Sequence, residues 1–276
     1  MVEVQLLGTG TPRADPERCG SGTAIEAGGG WILIDCGRGV SQRVVEAELD
    51  MQQLRAVFLT HHHSDHVSDL ASLAIMHWTS GATTPLVVVA PAGPCAEFSR
   101  RCLEIYPDES FFGQAKAESG PRPRMDVRSF AATSEAVEIF ADHSFSITSV
   151  LVDHHPIEAA VGYRVVADSN VVVVSGDTAV CDGIEMLAAG ADLLVHEALR
   201  ASLMSESLLA WNASAESVGA MAERAGVTHL VLTHLLPAPR DAAGEAEFVE
   251  DARGGGFQGQ LSVARDKLKL TVPTNR

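Results

Sequence analysis

Four side chains in a metal-binding pattern fall within six residues. His61-His62-His63-Ser64-Asp65-His66 reads His-x-His-x-Asp-His. At this chain's histidine and aspartate frequencies, chance yields such a run in on the order of one chain in a thousand. It follows an apolar run, 56–60, that reads as a strand. In an extended segment side chains at i and i+2 share a side, so His61 and His63 can hold one cation. Asp65 and His66 fall where the chain turns into a helix and can face a second cation. Read as a polar turn without a metal, four such groups packed together would be poorly satisfied.

One cluster does not complete two coordination shells. Three more candidates stand at strand ends: His154 after 146–152, Asp177 after 171–175 in Ser-Gly-Asp-Thr, and His234 after 229–233 in Leu-Thr-His-Leu-Leu-Pro. Imidazole and carboxylate donors suit zinc, iron or manganese, and a carboxylate can bridge two ions.

The elements that must position these residues are legible as short Val/Ile/Leu-rich runs. Strands are expected at 2–7, 31–35, 56–60, 86–90, 146–152, 161–166, 171–175, 192–196 and 229–233, with a final pair joined by a turn in 258–272. Several are apolar throughout, as strands buried on both faces are. Amphipathic stretches at 40–49, 68–78, 94–105, 183–189 and 215–225 read as helices. The mixture predicts an α/β (α+β) chain of sheets covered by helices. The whole span, 1–276, reads as one domain. Segment 106–134 lacks periodicity and is expected to be a surface excursion or a lid over a pocket.

Composition narrows the classes. In 276 residues, 46% hydrophobic and 20% charged, a sizeable core is available and disorder is excluded. Lys plus Arg is 20 and Asp plus Glu 36, a formal charge of −16, which argues against passive binding of nucleic acid. Cysteines 19, 36, 95, 102 and 181 are odd in number and form no Cys-x-x-Cys, so a disulfide framework is not expected and a reducing compartment is. The N-terminus has no signal-peptide pattern and no run is long enough to span a membrane. A cytoplasmic protein without membrane contact is expected, with a homodimer as the assembly.

The sequence resembles the metallo-β-lactamase-fold hydrolases, and among them the ribonuclease Z and arylsulfatase-like branch. The resemblance rests on Leu-Gly-Thr-Gly-Thr-Pro (7–12), Leu-Ile-Asp-Cys-Gly (33–37), Thr-His-His-His-Ser-Asp-His (60–66), Val-Asp-His-His-Pro with Gly-Tyr-Arg (152–164), Ser-Gly-Asp-Thr (175–178), Leu-Val-His-Glu-Ala (194–198) and Leu-Thr-His-Leu (232–235). These occur in family order along nearly the whole chain. The resemblance implies a four-layer αβ/βα sandwich with two divalent metal ions at one edge, Zn2+ first and Mn2+ or iron as alternatives. It implies that His61, His63 and His154 bind one ion, that Asp65, His66 and His234 bind the other, and that Asp177 bridges them. The neighbouring His155 competes with His154, and the Val-Asp-His register before Pro156 favours His154. His62 is expected to point away.

Two ions about 3.5–4 Å apart acidify a shared water to hydroxide and stabilise charge on substrate oxygens. Asp65 can act as ligand and proton acceptor. Asp35 either supports a metal-binding histidine from behind or caps the turn at 37–39. In ribonuclease Z-like chains the Glu of His-Glu-Ala, here Glu197, pairs with a histidine about one helix later that assists the leaving group. Here that position is Asn212, which cannot be a general acid at neutral pH. His196 either substitutes for it or simply meets backbone groups. A long Lys-rich arm for gripping tRNA is also missing, and Arg122, Arg124 and Arg128 form only a small basic patch.

The leading expectation is therefore a dinuclear-metal hydrolase acting on a small phosphodiester, sulfate ester or related ester. A tRNA 3′-processing endonuclease is the alternative, with RNA the less favoured partner. A lactonase or β-lactamase and an inactive metal-binding protein are further alternatives.

Overall fold

The computed structural model describes residues 1–106 and 122–273. Two seven-stranded sheets lie face to face. The first contains β1 (Val2–Gly8), β2 (Gly22–Ala27), β3 (Gly30–Ile34), β4 (Leu54–Phe58), β5 (Leu86–Pro91), β6 (Met125–Phe130) and β14 (Leu268–Val272), in the order β14-β1-β2-β3-β4-β5-β6. The second contains β7 (Val137–Ala141), β8 (Ser146–Leu151), β9 (Val161–Ala167), β10 (Asn170–Val174), β11 (Leu193–Leu199), β12 (His229–Leu236) and β13 (Gln260–Val263), in the order β13-β12-β11-β10-β9-β8-β7.

Strands buried on both faces explain the continuous apolar runs. In β3, Ile32 and Ile34 enter the core between the sheets, while Trp31 and Leu33 face the helices α1 (Val40–Glu46) and α3 (Leu70–Thr79). In β12, Val231 enters the central core and Leu230 and Leu232 face the helices α5 (Asp182–Ala188) and α7 (Ala215–Arg224). This is the four-layer order helix, sheet, sheet, helix. Phe58 stands fully buried in the centre, edge-on to Phe140 at 5.4 Å and to Tyr163 at 5.8 Å. Truncating such a phenylalanine to alanine costs about 3–5 kcal/mol.

Strand direction brings the chemistry to one edge. β3, β4 and β5 are parallel, and so are β10, β11 and β12. β8 is antiparallel to β9 and β9 to β10, so β8 runs with β10. The C-terminal ends of β4, β8, β10, β11 and β12 deliver His61, His154, Asp177, Glu197 and His234. The sheets are tied at that edge by Val161 N donating to the Thr60 carbonyl at 3.0 Å and by the Tyr163 hydroxyl donating to Leu59 O at 2.5 Å.

Several details differ from the sequence reading. Segment 258–272 is not a hairpin: β13 joins the second sheet beside β12 and β14 crosses to the first beside β1. Two short strands with a turn between them look the same in sequence whether or not they pair. β2 was not expected, because Thr23 and Glu26 interrupt its apolar pattern, although Thr23 is itself buried. Helix α8 (Ala242–Gly254) was not expected either; it buries only Phe248 and Ala252, a stripe too narrow to register as periodicity. Segment 106–134 is not wholly irregular, since β6 closes the edge of the first sheet. Residues 107–121 of that segment lie outside the described residues.

Candidate metal centre

The loop after β4 is shaped by close backbone approach. Gly37 packs against the Asp65 carbonyl so tightly that a Cβ there would stand 1.8 Å from it. Ser21 N donates to that same carbonyl at 2.8 Å and Cys36 N to the His66 carbonyl at 2.7 Å. On the opposite sheet, Gly176 takes φ +63 after β10, and a Cβ there would meet Thr60 at 2.9 Å. Only glycine combines that conformation with that contact.

These turns bring seven side chains together in two sets. His61, His63, His154 and Asp177 form one; Asp65, His66, Asp177 and His234 form the other, and within each set the donor atoms lie within 4.8 Å of one another. Asp177 belongs to both. His61 Nε2 is 2.9 Å from His63 Nδ1, and His154 Nε2 is 3.2 Å from the same atom. His66 Nε2 is 3.3 Å from Asp177 Oδ1, and His234 Nε2 is 3.4 Å from Asp177 Oδ2 and 3.2 Å from Asp65 Oδ2. His154 is buried in the cluster whereas His155 is exposed. His62 belongs to neither set.

The surrounding groups orient the rings. Asp35 Oδ2 lies 2.7 Å from His66 Nδ1, which holds a hydrogen on Nδ1 and turns Nε2 into the centre. Asp35 Oδ1 accepts from Thr60 N at 2.8 Å and Thr60 Oγ1 at 3.0 Å, so the carboxylate is held on both sides. It therefore braces His66 rather than the turn at 37–39. The Trp211 carbonyl, 3.2 Å from His154 Nδ1, fixes that ring in the same sense. Thr60 Oγ1 reaches His61 Nδ1 at 3.1 Å. Thr60 and Tyr163 stand in the motifs that carry the resemblance but no role was assigned to them, and the Trp211 carbonyl had no place in the sequence reading. A hydroxyl directly before the ligand run is a signal for such a role at Thr60, but a backbone carbonyl from a distant loop leaves no sequence signal.

Electrostatics match a cation centre. Burial pushes His61 and His63 below the ordinary imidazole range, so both rings are neutral donors. Burial opposes charge on His66, but Asp177 and Asp35 outweigh it and hold its pKa well above the usual value. Burial likewise opposes ionised Asp177, and His234, His66 and His61 outweigh that and keep it a carboxylate. Asp65 Oδ1 and His66 Nε2 are fully buried with no hydrogen-bond partner among the described residues. Buried polar atoms without partners in an imidazole and carboxylate cage fit divalent cations, and the shared Asp177 fits two of them.

The remaining residues fall outside the two sets. Glu197 Oε1 accepts from Thr178 N at 2.5 Å, and Oε2 is buried without a partner among the described residues. Burial, then the nearby Asp177, push its pKa well above the carboxylate range. His196 Nδ1 meets the Glu197 carbonyl at 2.7 Å, and burial lowers its pKa to about 4. Asn212 donates to the Leu208 carbonyl at 2.9 Å, not to Glu197. Arg128 pairs with Asp126 and Arg124 donates to Thr83 O, both on the exposed β6 edge; Arg122 is exposed.

Two mixed sheets between helix layers, with a His/Asp centre at the strand ends, define a metal-dependent hydrolase. The chain belongs to the metallo-β-lactamase-fold superfamily: the family described as Beta-lactamase superfamily domain matches residues 30–235. Among its relatives is a ribonuclease Z from Mycolicibacterium paratuberculosis, 34% identical over 282 residues and covering 99% of both chains. A ribonuclease Z from Mycobacterium bovis is 33% identical over 287 residues, covering 100% of both. Solved structures share the fold. The metallo-β-lactamase fold protein YhfI of Bacillus subtilis superimposes with a TM-score of 0.77 at 20% identity over 98% of both chains. The short form of human tRNase Z gives 0.76 at 22% identity over 98% of this chain and 99% of that one. A Zn2+-bound PqqB from Methylobacterium extorquens gives 0.65 at 16% over 98% and 99%.

Proposed function

We propose that this chain is a two-cation phosphodiesterase of the ribonuclease Z kind, cleaving tRNA precursors at their 3′ side with zinc as the preferred ion. The observation that carries the chemistry is Asp177, one carboxylate shared by two four-residue ligand sets. The ribonuclease Z relatives, similar along the full length, supply the substrate class. This puts RNA ahead of the small ester that Asn212, the missing Lys-rich arm and the charge of −16 favour in the sequence. The charge of −16 is a total over the whole chain and does not fix the charge of any one edge. A cavity of about 320 Å³ reaches Leu235, the residue after His234, and is lined by Arg13, Arg18 and Arg240; Arg240 pairs with Asp15 at 2.6 Å, and buried Arg18 donates to Thr9 Oγ1 and the Ala264 carbonyl. A larger cavity of about 500 Å³ lies where β1 and β3 begin, at their other ends, and carries Glu3, Glu26, Glu48 and Asp50, which repel phosphate.

When bound, two divalent cations polarise the phosphoryl oxygens and lower the pKa of water. The protein's part is to hold them and to move protons. His61, His63 and His154 face one position, Asp65, His66 and His234 the other, with Asp177 between them. Asp65 Oδ1, buried and without a hydrogen-bond partner among the described residues, would take the proton of the attacking water. Asn212 supplies no proton to the leaving group.

That last point supports a second reading, a small phosphodiester whose leaving group needs no acid. The test is direct: chelator-stripped protein reloaded with Zn2+ is given a tRNA precursor and an aryl phosphodiester. Removal of the 3′ trailer, abolished by Asp177→Ala, is expected. Turnover of the aryl ester alone favours the second reading, and turnover of neither refutes both.

A further inference from the structure

Glu197 has two oxygens with different fates. Oε1 accepts from Thr178 N at 2.5 Å, and Oε2 is enclosed without a partner among the described residues. Thr178 directly follows Asp177. Its hydroxyl oxygen accepts from Asp153 N at 3.1 Å, and Ala179 N donates to the Asp153 carbonyl at 2.8 Å; Asp153 directly precedes His154. Glu197 N in turn donates to Ser175 Oγ at 3.3 Å, and Ser175 N to the Val195 carbonyl at 3.0 Å. The Glu197 backbone pairs with Thr233, the residue before His234. One side chain at the end of β11 thus braces the turn carrying the shared carboxylate and, through Thr178, the loop carrying His154. The imidazole it would orient in related chains is absent: position 212 is Asn, and its amide is spent on the Leu208 carbonyl.

We infer that Glu197 is a positioning residue, not a proton donor: its Oε1 anchors the Thr178 amide and thereby sets Asp177 and His154 at the spacing that two cations require. This rests on the two-cation reading proposed above. What the reaction asks of Glu197 is an acceptor oxygen, which a glutamine also offers. The amide nitrogen of glutamine would replace the oxygen that has no partner now.

The experiment compares Glu197→Gln, Glu197→Ala and Glu197→Met by Zn2+ affinity against a competing chelator, by hydrogen exchange at the Thr178 amide, and by aryl phosphodiester turnover. Loss of a group that orients metal ligands typically costs about 10–100-fold in affinity or activity. Ala and Met are expected to show that loss and faster Thr178 exchange, while Gln holds affinity, exchange and turnover within about threefold of the unaltered protein. Met keeps the side-chain volume, so it reports even where Ala unfolds. A Gln variant as inactive as Ala with intact Zn2+ affinity would identify Glu197 as the acid and overturn the inference. Unaltered affinity and exchange in Ala or Met would overturn it as well. Affinity and exchange need no substrate, so an unaltered protein without phosphodiesterase activity would sink the functional reading and leave this one standing.

Discussion

Asp35→Asn isolates what one buried carboxylate does for the centre. Asp35 has φ 63, a left-handed conformation that Asn adopts more readily than other side chains, so the backbone is undisturbed. The Asn carbonyl can still accept from Thr60 N and Oγ1, now 2.8 and 3.0 Å from Asp35 Oδ1. Its NH2 then faces His66 Nδ1 in place of the oxygen at 2.7 Å. The ring must accept there, and its hydrogen moves to Nε2, 3.3 Å from Asp177 Oδ1 and 3.6 Å from Asp65 Oδ2. A protonated Nε2 cannot donate a lone pair to a cation. Losing the supporting partner of a ligating histidine costs about 10–100-fold in affinity, or about 1–3 kcal/mol. The assay is Zn2+ titration of stripped protein against a chromophoric chelator, fitted for two sites. The set with His66 should weaken by that factor, and the set with His61, His63 and His154 by no more than about threefold. Equal losses at both sites, or none at either, would refute the argument that Asp35 acts through the His66 tautomer.

Asp177→Ala should lower the metal content by at least one ion per chain and bring phosphodiester turnover to background, as measured by elemental analysis and an aryl phosphodiester assay; two ions retained would contradict the shared-ligand geometry. Turnover of the unaltered chain should fall steeply as leaving-group pKa rises, and Asn212→His should raise turnover of alkyl phosphodiesters by about 10²–10⁴-fold with little change for aryl ones. A uniform change across the series would mean that position 212 does not supply the acid. His196 predicts an acid-labile fold. Burial lowers its pKa to about 4 from an ordinary 6.5, so between those values the unfolded chain binds the proton and the folded chain does not. Stability from this group is complete above about pH 6.5 and is lost as pH falls towards 4, by a few kcal/mol. His196→Gln should flatten the fall in urea midpoint between pH 7 and 4.5 in stripped protein; an unchanged slope would place the effect elsewhere.

The amino-acid sequence alone determined which residues could meet a metal and where strands deliver them. His61, His63, Asp65 and His66 are local, and a strand run followed by polar ligands needs no partner to be recognised. The apolar runs of β3, β10 and β12 were equally plain, because burial on both faces leaves no alternation to misread. What only the tertiary structure decided depends on contacts between distant segments. The register before Pro156 already favours His154 over His155, but that its ring is buried against His63, across the gap between the two sheets, is visible only in the assembled fold. The bracing of His66 by Asp35, 31 residues apart, and of Thr178 by Glu197, 19 apart, follows from neighbouring strand ends and from no spacing rule. β13 and β14 part to different sheets because pairing is settled by which edge is open, and an edge exists only once the sheets are assembled. The cavity that reaches Leu235 gathers Arg13, Arg18 and Arg240 from both ends of the chain, a grouping that no total charge describes.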